Sequence, residues 1–243
     1  KRLNFPFLAG SSLPVTERIP SIEMPLNTSL RESVSICYGG VDSYDFHGLE
    51  TAQCMSERRR GGEVGIKSMH AMRGEKIWDV LAERETTRRL FFAALARSHT
   101  AHAPQGYTVV PPSIDWARKA SPSAIGYFIE HNDGFQTSVF IANSLVQDFT
   151  YAGLANDGRI ISCQMHLPMP MQISTTADFF NPLVHHIEDM VLTNRAPYRV
   201  ERTLLTSGMT LSAVESLFRK EALATPEMNI TYHPVEPSTF WRS

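Results

Sequence analysis

The chain has 243 residues, 42% of them hydrophobic and 20% charged, the composition of a folded globular protein with room for one large domain or two small ones. Its 23 Lys and Arg against 25 Asp and Glu leave a formal charge of −2, without the basic surplus that nucleic-acid phosphates or an acidic membrane surface require. No apolar run approaches the roughly 18–20 residues of a membrane span, and three widely spaced cysteines, Cys37, Cys54 and Cys163, with no CxxC pair, point to a reducing cytoplasm.

The chain opens on Lys1-Arg2-Leu3-Asn4, with no initiator methionine and no signal-peptide pattern. These residues read as the last turn of a helix, so a fragment is expected. Residues 5–10 read as a short buried strand ending at a turn. The prolines from Pro14 through Pro20 to Pro25 each remove a donor and push the preceding residue out of the helical region, so this stretch is expected to be a connector. Residues 33–38 alternate polar and apolar, the period of a half-buried strand, and Gly39-Gly40 ends it. Asp42 or Ser43 then caps a helix over 44–58 that Gly61-Gly62 stops. Within its end, Arg58, Arg59 and Arg60 form the one compact basic cluster, too short to bind nucleic acid.

A second strand is expected over 64–72, a short helix over 74–83, and a further helix over 86–97 with Leu90, Phe91, Ala94 and Leu95 at core spacing. Residues 98–112, rich in His, Pro and Thr, read as a surface loop. Four strands follow over 124–130, 135–142, 146–154 and 159–167. Asn132-Asp133-Gly134 and Asn156-Asp157-Gly158 are hairpin turns between them, because Asp-Gly suits positive φ. Antiparallel pairing is therefore expected here. Helices over 176–193 and 201–221 and a strand over 229–232 returning to the sheet edge close the chain. The sum is an α+β fold: a large mixed, mostly antiparallel sheet of roughly six to eight strands with helices on one face. Its other face needs a partner.

Residues 39–50 carry the densest chemistry. On a helix His47, Glu50 and Cys54 share one stripe, which places an imidazole beside a carboxylate able to orient it. Such a His takes or gives a proton at an alcohol or carbonyl; the alternative is a structural His packed at a helix start. Ser11 and Ser12, after the first strand, offer hydroxyls to a ligand or serve a capped turn. Gln147, Asp148 and His166 lie on strands that equally line a cleft. The aromatics Tyr127, Phe128, Phe135, Phe140, Phe149 and Tyr151 read as sheet packing or an interface. His99 and His102, and His185 and His186 with Glu188, lack metal-ligand spacing, so no metal site is expected.

The double glycine at 39–40, followed by a helix with His47 and an acidic residue three positions later, resembles the GG-x-L-x-D-x-G-x-H-x-x-D signature of the Gfo/Idh/MocA-like oxidoreductases. Residues 5–10 look like the last strand of that family's Rossmann domain. The run from His185-His186-Ile187-Glu188-Asp189-Met190 to Arg195-Ala196-Pro197, followed by a long helix from Glu201, looks like its C-terminal helix pair. The resemblance spans nearly the whole chain. It implies that residues 1–25 are a remnant of the Rossmann domain with its connector, and 26–243 the C-terminal substrate and oligomerisation domain. It further implies an NAD(P)-dependent oxidoreductase acting on a hydroxyl of a sugar, cyclitol or related polyol. His47 would transfer the proton and Glu50 orient it, with Ser12, Asp45, Gln147 and His166 toward substrate and Ser11 toward cofactor. NAD or NADP would be bound mainly by residues outside this chain, which contains neither the family's GxGxxG turn nor its EKP-type lysine. A homo-oligomer formed through the open sheet face is the implied assembly. The other reading is a non-catalytic binding or assembly module with the same fold.

Overall fold

The computed structural model describes residues 5–101, 113–168 and 177–241. Strand β1 is Arg18–Ile19, β2 Leu30–Cys37, β3 Glu63–Val64, β4 Ile66–Arg73, β5 Ile125–His131 and β6 Gln136–Ile141. β7 is Phe149–Ala155, β8 Ile160–Met165, β9 Leu223–Ala224 and β10 Thr231–Tyr232. Eight of these form one sheet in the order β1-β8-β7-β2-β6-β5-β4-β9. Every neighbouring pair is antiparallel except β2 with β6. The two hairpins stand where Asp-Gly places them: Gly134 and Gly158 have φ of +81° and +87°, a region open to glycine at no steric cost.

The hairpins are not joined to one another. β2 lies between β6 and β7 and brings apolar side chains to both faces, Val34 and Ile36 to one and Cys37 to the other, as a strand in the interior of a covered sheet does. Three other expectations change. Residues 5–10 form no strand, and Phe5 and Phe7 are exposed rather than buried. The proline-rich connector contributes β1, which pairs with β8 at the sheet edge. The terminal strand β10 pairs with β3 in a separate ribbon, and β9 takes the edge beside β4. Most of the 98–112 loop lies outside the described residues.

Helices cover both faces, not one. On the first, Leu49, Ala52 and Met55 of α1 (Asp45–Ser56) share a core with sheet residues Tyr127, Val139 and Tyr151. Leu205, Met209 and Ala213 of a long C-terminal helix, Glu201–Arg219, join them. On the second, α2 (Glu75–Glu83), α3 (Glu85–Leu95) and α4 (Ile114–Ala120) lay Trp78, Leu81, Leu90 and Phe91 on Val34, Ile36, Phe128 and Phe140. Trp78 is fully buried, donates Nε1–H to the Ser121 carbonyl at 3.2 Å and stands edge-on to Phe91 at 5.9 Å. The face expected to wait for another subunit is thus filled by the chain's own helices. The remaining helices are α5 (Asn181–Thr193) and, for the C-terminal one, α6.

The Arg58-Arg59 cluster also turns inward. Arg58 donates to the carbonyls of Met24, Val235 and Glu236. Arg59 pairs with Glu63 at 3.0 Å and Asp133 at 2.9 Å. The two are structural cations, which is a physical reason they give no basic surface.

Candidate active site at the start of helix α1

Gly39 has φ +107°, and a Cβ there would meet Tyr44 Cβ at 2.2 Å, so only glycine lets the chain turn this tightly into the helix. The turn is held by Asp45, whose carboxylate accepts from the backbone N–H groups of Asp42 at 3.0 Å and of Ser43 and Phe46 at 2.9 Å, and from Tyr127 O–H at 2.8 Å. The cap therefore comes from Asp45 rather than from Asp42 or Ser43. Fully buried, with its acceptor capacity taken up by four donors, Asp45 has nothing left for a substrate. Burial and the Asp45 charge together drive the Tyr127 phenol well above its ordinary pKa.

His47, one turn in, is half-buried and stands edge-on to Tyr44 at 5.5 Å, Phe46 at 6.0 Å and Phe149 at 6.0 Å. Its ring lines a hollow of about 480 Å³, within the size range of small-molecule sites. The backbone corner 10–13 forms one wall with the Ser11 and Ser12 side chains; Tyr38, Tyr44 and Phe149 form a second; Leu167, Phe179, Phe180 and Leu183 form a third. Nδ1 of His47 is buried and has no hydrogen-bond partner among the described residues. Burial lowers the imidazole pKa, and the nearby Asp45 charge opposes that shift. A neutral ring carries one lone pair and one N–H; because Nδ1 is buried, exchange with a ligand hydroxyl would fall to Nε2.

Glu50 does not orient that ring by any hydrogen bond the structure shows. Fully buried, it accepts from Thr206 Oγ1 at 2.6 Å. Burial raises its pKa against the opposing pull of Arg202, the Thr206 bond and the Ser11 amide. Arg202 is itself held by Glu57, at 2.9 and 2.5 Å. What Glu50 braces is the wall of the hollow: Gly10 has φ +117°, and a Cβ there would fall 2.7 Å from Thr203 Oγ1 and 2.9 Å from Glu50 Oε2. One residue earlier, the Ala9 carbonyl accepts from Thr203 Oγ1 at 2.8 Å and Tyr198 O–H at 3.1 Å. The sequence expectation of a His–Glu pair followed helical spacing alone; α6 competes for the carboxylate.

The other expected residues are dispersed. Ser11 and Ser12 share the hollow with His47. His166 lines an adjoining cavity of about 210 Å³ with Thr16, Glu17 and Trp241, which touches the first through Phe179. Gln147 is exposed in the loop before β7, its N–H donating to Thr100 Oγ1 at 2.8 Å, away from both cavities. Sequence reasoning missed Tyr38 and Tyr44 and assigned Phe149 to packing. Tyr44 stood inside the glycine-led segment, and its position three residues before His47 was the signal available.

For a dinucleotide, these residues fit one end only. The aromatic and aliphatic walls suit a flat ring and the two serines can hydrogen-bond a carboxamide, whereas no Arg or Lys lines the hollow among the described residues, leaving a pyrophosphate without a partner here. Among the described residues no cluster of three or more His, Cys, Asp or Glu is placed to hold a metal. His185 pairs with Asp189 at 3.3 Å and His186 contacts the Thr239 carbonyl at 2.6 Å. Among those residues, too, no helix is long and apolar enough to cross a membrane.

No protein-family model and no curated protein matches the chain. Solved structures do. A probable dehydrogenase from Thermotoga maritima is similar at 9% identity and a TM-score of 0.44, over 82% of this chain and 58% of that one. A myo-inositol dehydrogenase from Corynebacterium glutamicum is similar at 9% identity and 0.41, over 80% and 56%. An aldose-aldose oxidoreductase from Caulobacter crescentus is similar at 10% identity and 0.37, over 81% and 56%. The chain thus spans little more than half the length of each.

Proposed function

We propose that this chain forms the substrate side of an NAD(P)-dependent oxidoreductase acting on a hydroxyl of a sugar, cyclitol or related polyol, with His47 as the proton-transfer residue. The observation that carries the reading is the His47 ring: burial favours its neutral form, and it borders a hollow of ligand size. When bound, a nicotinamide supplies the acceptor for the hydride. This chain's part is the proton. In the oxidation direction the imidazole accepts the hydroxyl proton as the carbonyl forms; in reduction the imidazolium returns it to the same oxygen. Ser11 and Ser12, on the same hollow, would hold neighbouring hydroxyls. General acid–base transfer of this kind contributes about 10²–10⁴ in rate.

Replacing His47 with Gln in the protein together with its cofactor-binding part tests this. Turnover falls by about 10²–10⁴ while cofactor affinity holds; turnover like that of the unaltered protein would remove His47 from the mechanism. One observation favours the second reading, a non-catalytic binding module: among the described residues no carboxylate is hydrogen-bonded to the ring, and Glu50 is engaged by Thr206. That reading is preferred if polyols bind the hollow and none is oxidised with either NAD or NADP.

A further inference from the structure

A small cavity lies where four segments of the chain meet. The proline-rich connector brings Pro14, Arg18 and Glu23 to it, the end of α1 and the residues just beyond bring Cys54, Glu57 and Arg58, the first turn of α6 brings Arg202, and the C-terminal tail brings Val235 and Thr239. It shares no lining residue with the hollow beside His47. Three of these side chains are cations and two are anions, all of them buried or nearly so. Glu23 is paired with Arg18, and Glu57 with Arg202. Arg58 donates to backbone carbonyls, those of Met24, Val235 and Glu236, so the lining holds one positive charge in excess. Burial pushes the Cys54 thiol up to about 12, which keeps it uncharged, and raises the Glu50 pKa against the pull of Arg202, which makes that carboxyl a poor substitute.

The same two paired arginines each keep an unused donor. Arg18 spends Nη1 on Glu23 and Nη2 on the Pro14 carbonyl at 3.2 Å, and Arg202 spends Nε and Nη2 on Glu57 at 2.9 and 2.5 Å. Arg18 Nε and Arg202 Nη1 are buried and meet no acceptor among the described residues. Buried guanidinium N–H groups without acceptors are costly, and two on one cavity point to an occupant. A water accepts from both but leaves the surplus charge where it is; an anion answers both needs. The cavity measures about 10 Å³, room for one atom-sized occupant, which excludes phosphate, sulfate and carboxylates.

We propose that this cavity binds a single halide, chloride in ordinary solution, held by Arg18 Nε–H and Arg202 Nη1–H beside the Arg58 guanidinium, and that the ion fastens the connector and the C-terminal tail to α1 and α6.

Two measurements on the full chain test it. Crystals grown with bromide are expected to show one anomalous peak within hydrogen-bond reach of Arg18 Nε and Arg202 Nη1. In urea unfolding at constant ionic strength, with chloride exchanged for the much larger gluconate, the folded-to-unfolded ratio is expected to rise about tenfold for each tenfold of chloride above its dissociation constant, the slope of one bound ion. Arg18→Lys keeps the charge facing Glu23 and loses Nε–H, so its stability is expected to respond little to chloride; Arg202→Lys serves should Arg18→Lys fail to fold. A site without bromide, whatever the stability does, or equal stability in chloride and gluconate would overturn the proposal, and so would an undiminished chloride response in a folded variant.

Discussion

Glu50 accepts its hydrogen bond from Thr206 Oγ1 at 2.6 Å and so ties α1 to α6 instead of serving His47 one turn away. The pair braces the 10–13 corner that walls the hollow. Thr206→Val removes the donor and leaves a buried carboxylate less satisfied, so it should cost about 1–3 kcal/mol in urea unfolding. Glu50→Gln keeps an acceptor for Thr206 and should cost less than Thr206→Val. The pH dependence has a defined sign. Because the folded pKa of Glu50 is raised, its contribution is full below the ordinary carboxylate value and declines as pH rises through the folded one. Glu50→Gln should flatten that decline.

Glu63 has the opposite sign. Fully buried, it meets Arg59 at 3.0 Å, His131 Nδ1 at 3.0 Å and Gln53 Nε2 at 2.7 Å, and these partners hold its pKa far below the usual carboxylate range. Its stabilisation is present above the ordinary carboxylate pKa and is lost as pH falls through the folded value. Glu63→Gln leaves Arg59 without its buried counter-charge and should cost about 3–5 kcal/mol, measured as a drop in the urea midpoint at neutral pH.

Trp78 fills the second face of the sheet. Trp78→Ala should destabilise by about 3–5 kcal/mol through the cavity it leaves. Because α2, α3 and α4 already cover that face, any self-association of the unaltered chain should survive charged substitutions on their outer surfaces, checked by light scattering.

Gly10 occupies a conformation that side chains resist. Gly10→Ala places a Cβ against Thr203 and Glu50 and should cost about 1–3 kcal/mol. In the same variant, ligand-induced shifts of the His47 ring should weaken, because the Ser11–Ser12 edge moves with the corner.

Much of the sheet was legible in the sequence because period-two patterning and Asp-Gly turns are local. β2, β4, β5 and β6 fall within a few residues of their expected places; α1 follows from the start and stop signals at its ends, and α3 from apolar spacing. What was not legible depends on distant partners. Whether β7 is buried on one face or two is decided by α3, and its run of Phe149, Tyr151, Ala152 and Leu154 was the available sign. At the site, the glycine turn was readable, and His47, Ser11 and Ser12, singled out in the sequence, line one hollow. The environment of Glu50 and Asp45 was not, since spacing along a helix says which residues share a stripe and nothing of the Thr206 or Tyr127 that meets them.

The most direct measurement is the pH dependence of turnover set beside the NMR titration of the His47 ring. In the proposed mechanism neutral His47 is the proton acceptor in the oxidation direction, and burial lowers its pKa from the usual 6.5. The account therefore predicts an acid limb below that value that coincides with the His47 titration and disappears in His47→Gln. A limb that persists in the variant, or a ring that titrates at or above 6.5, would contradict it.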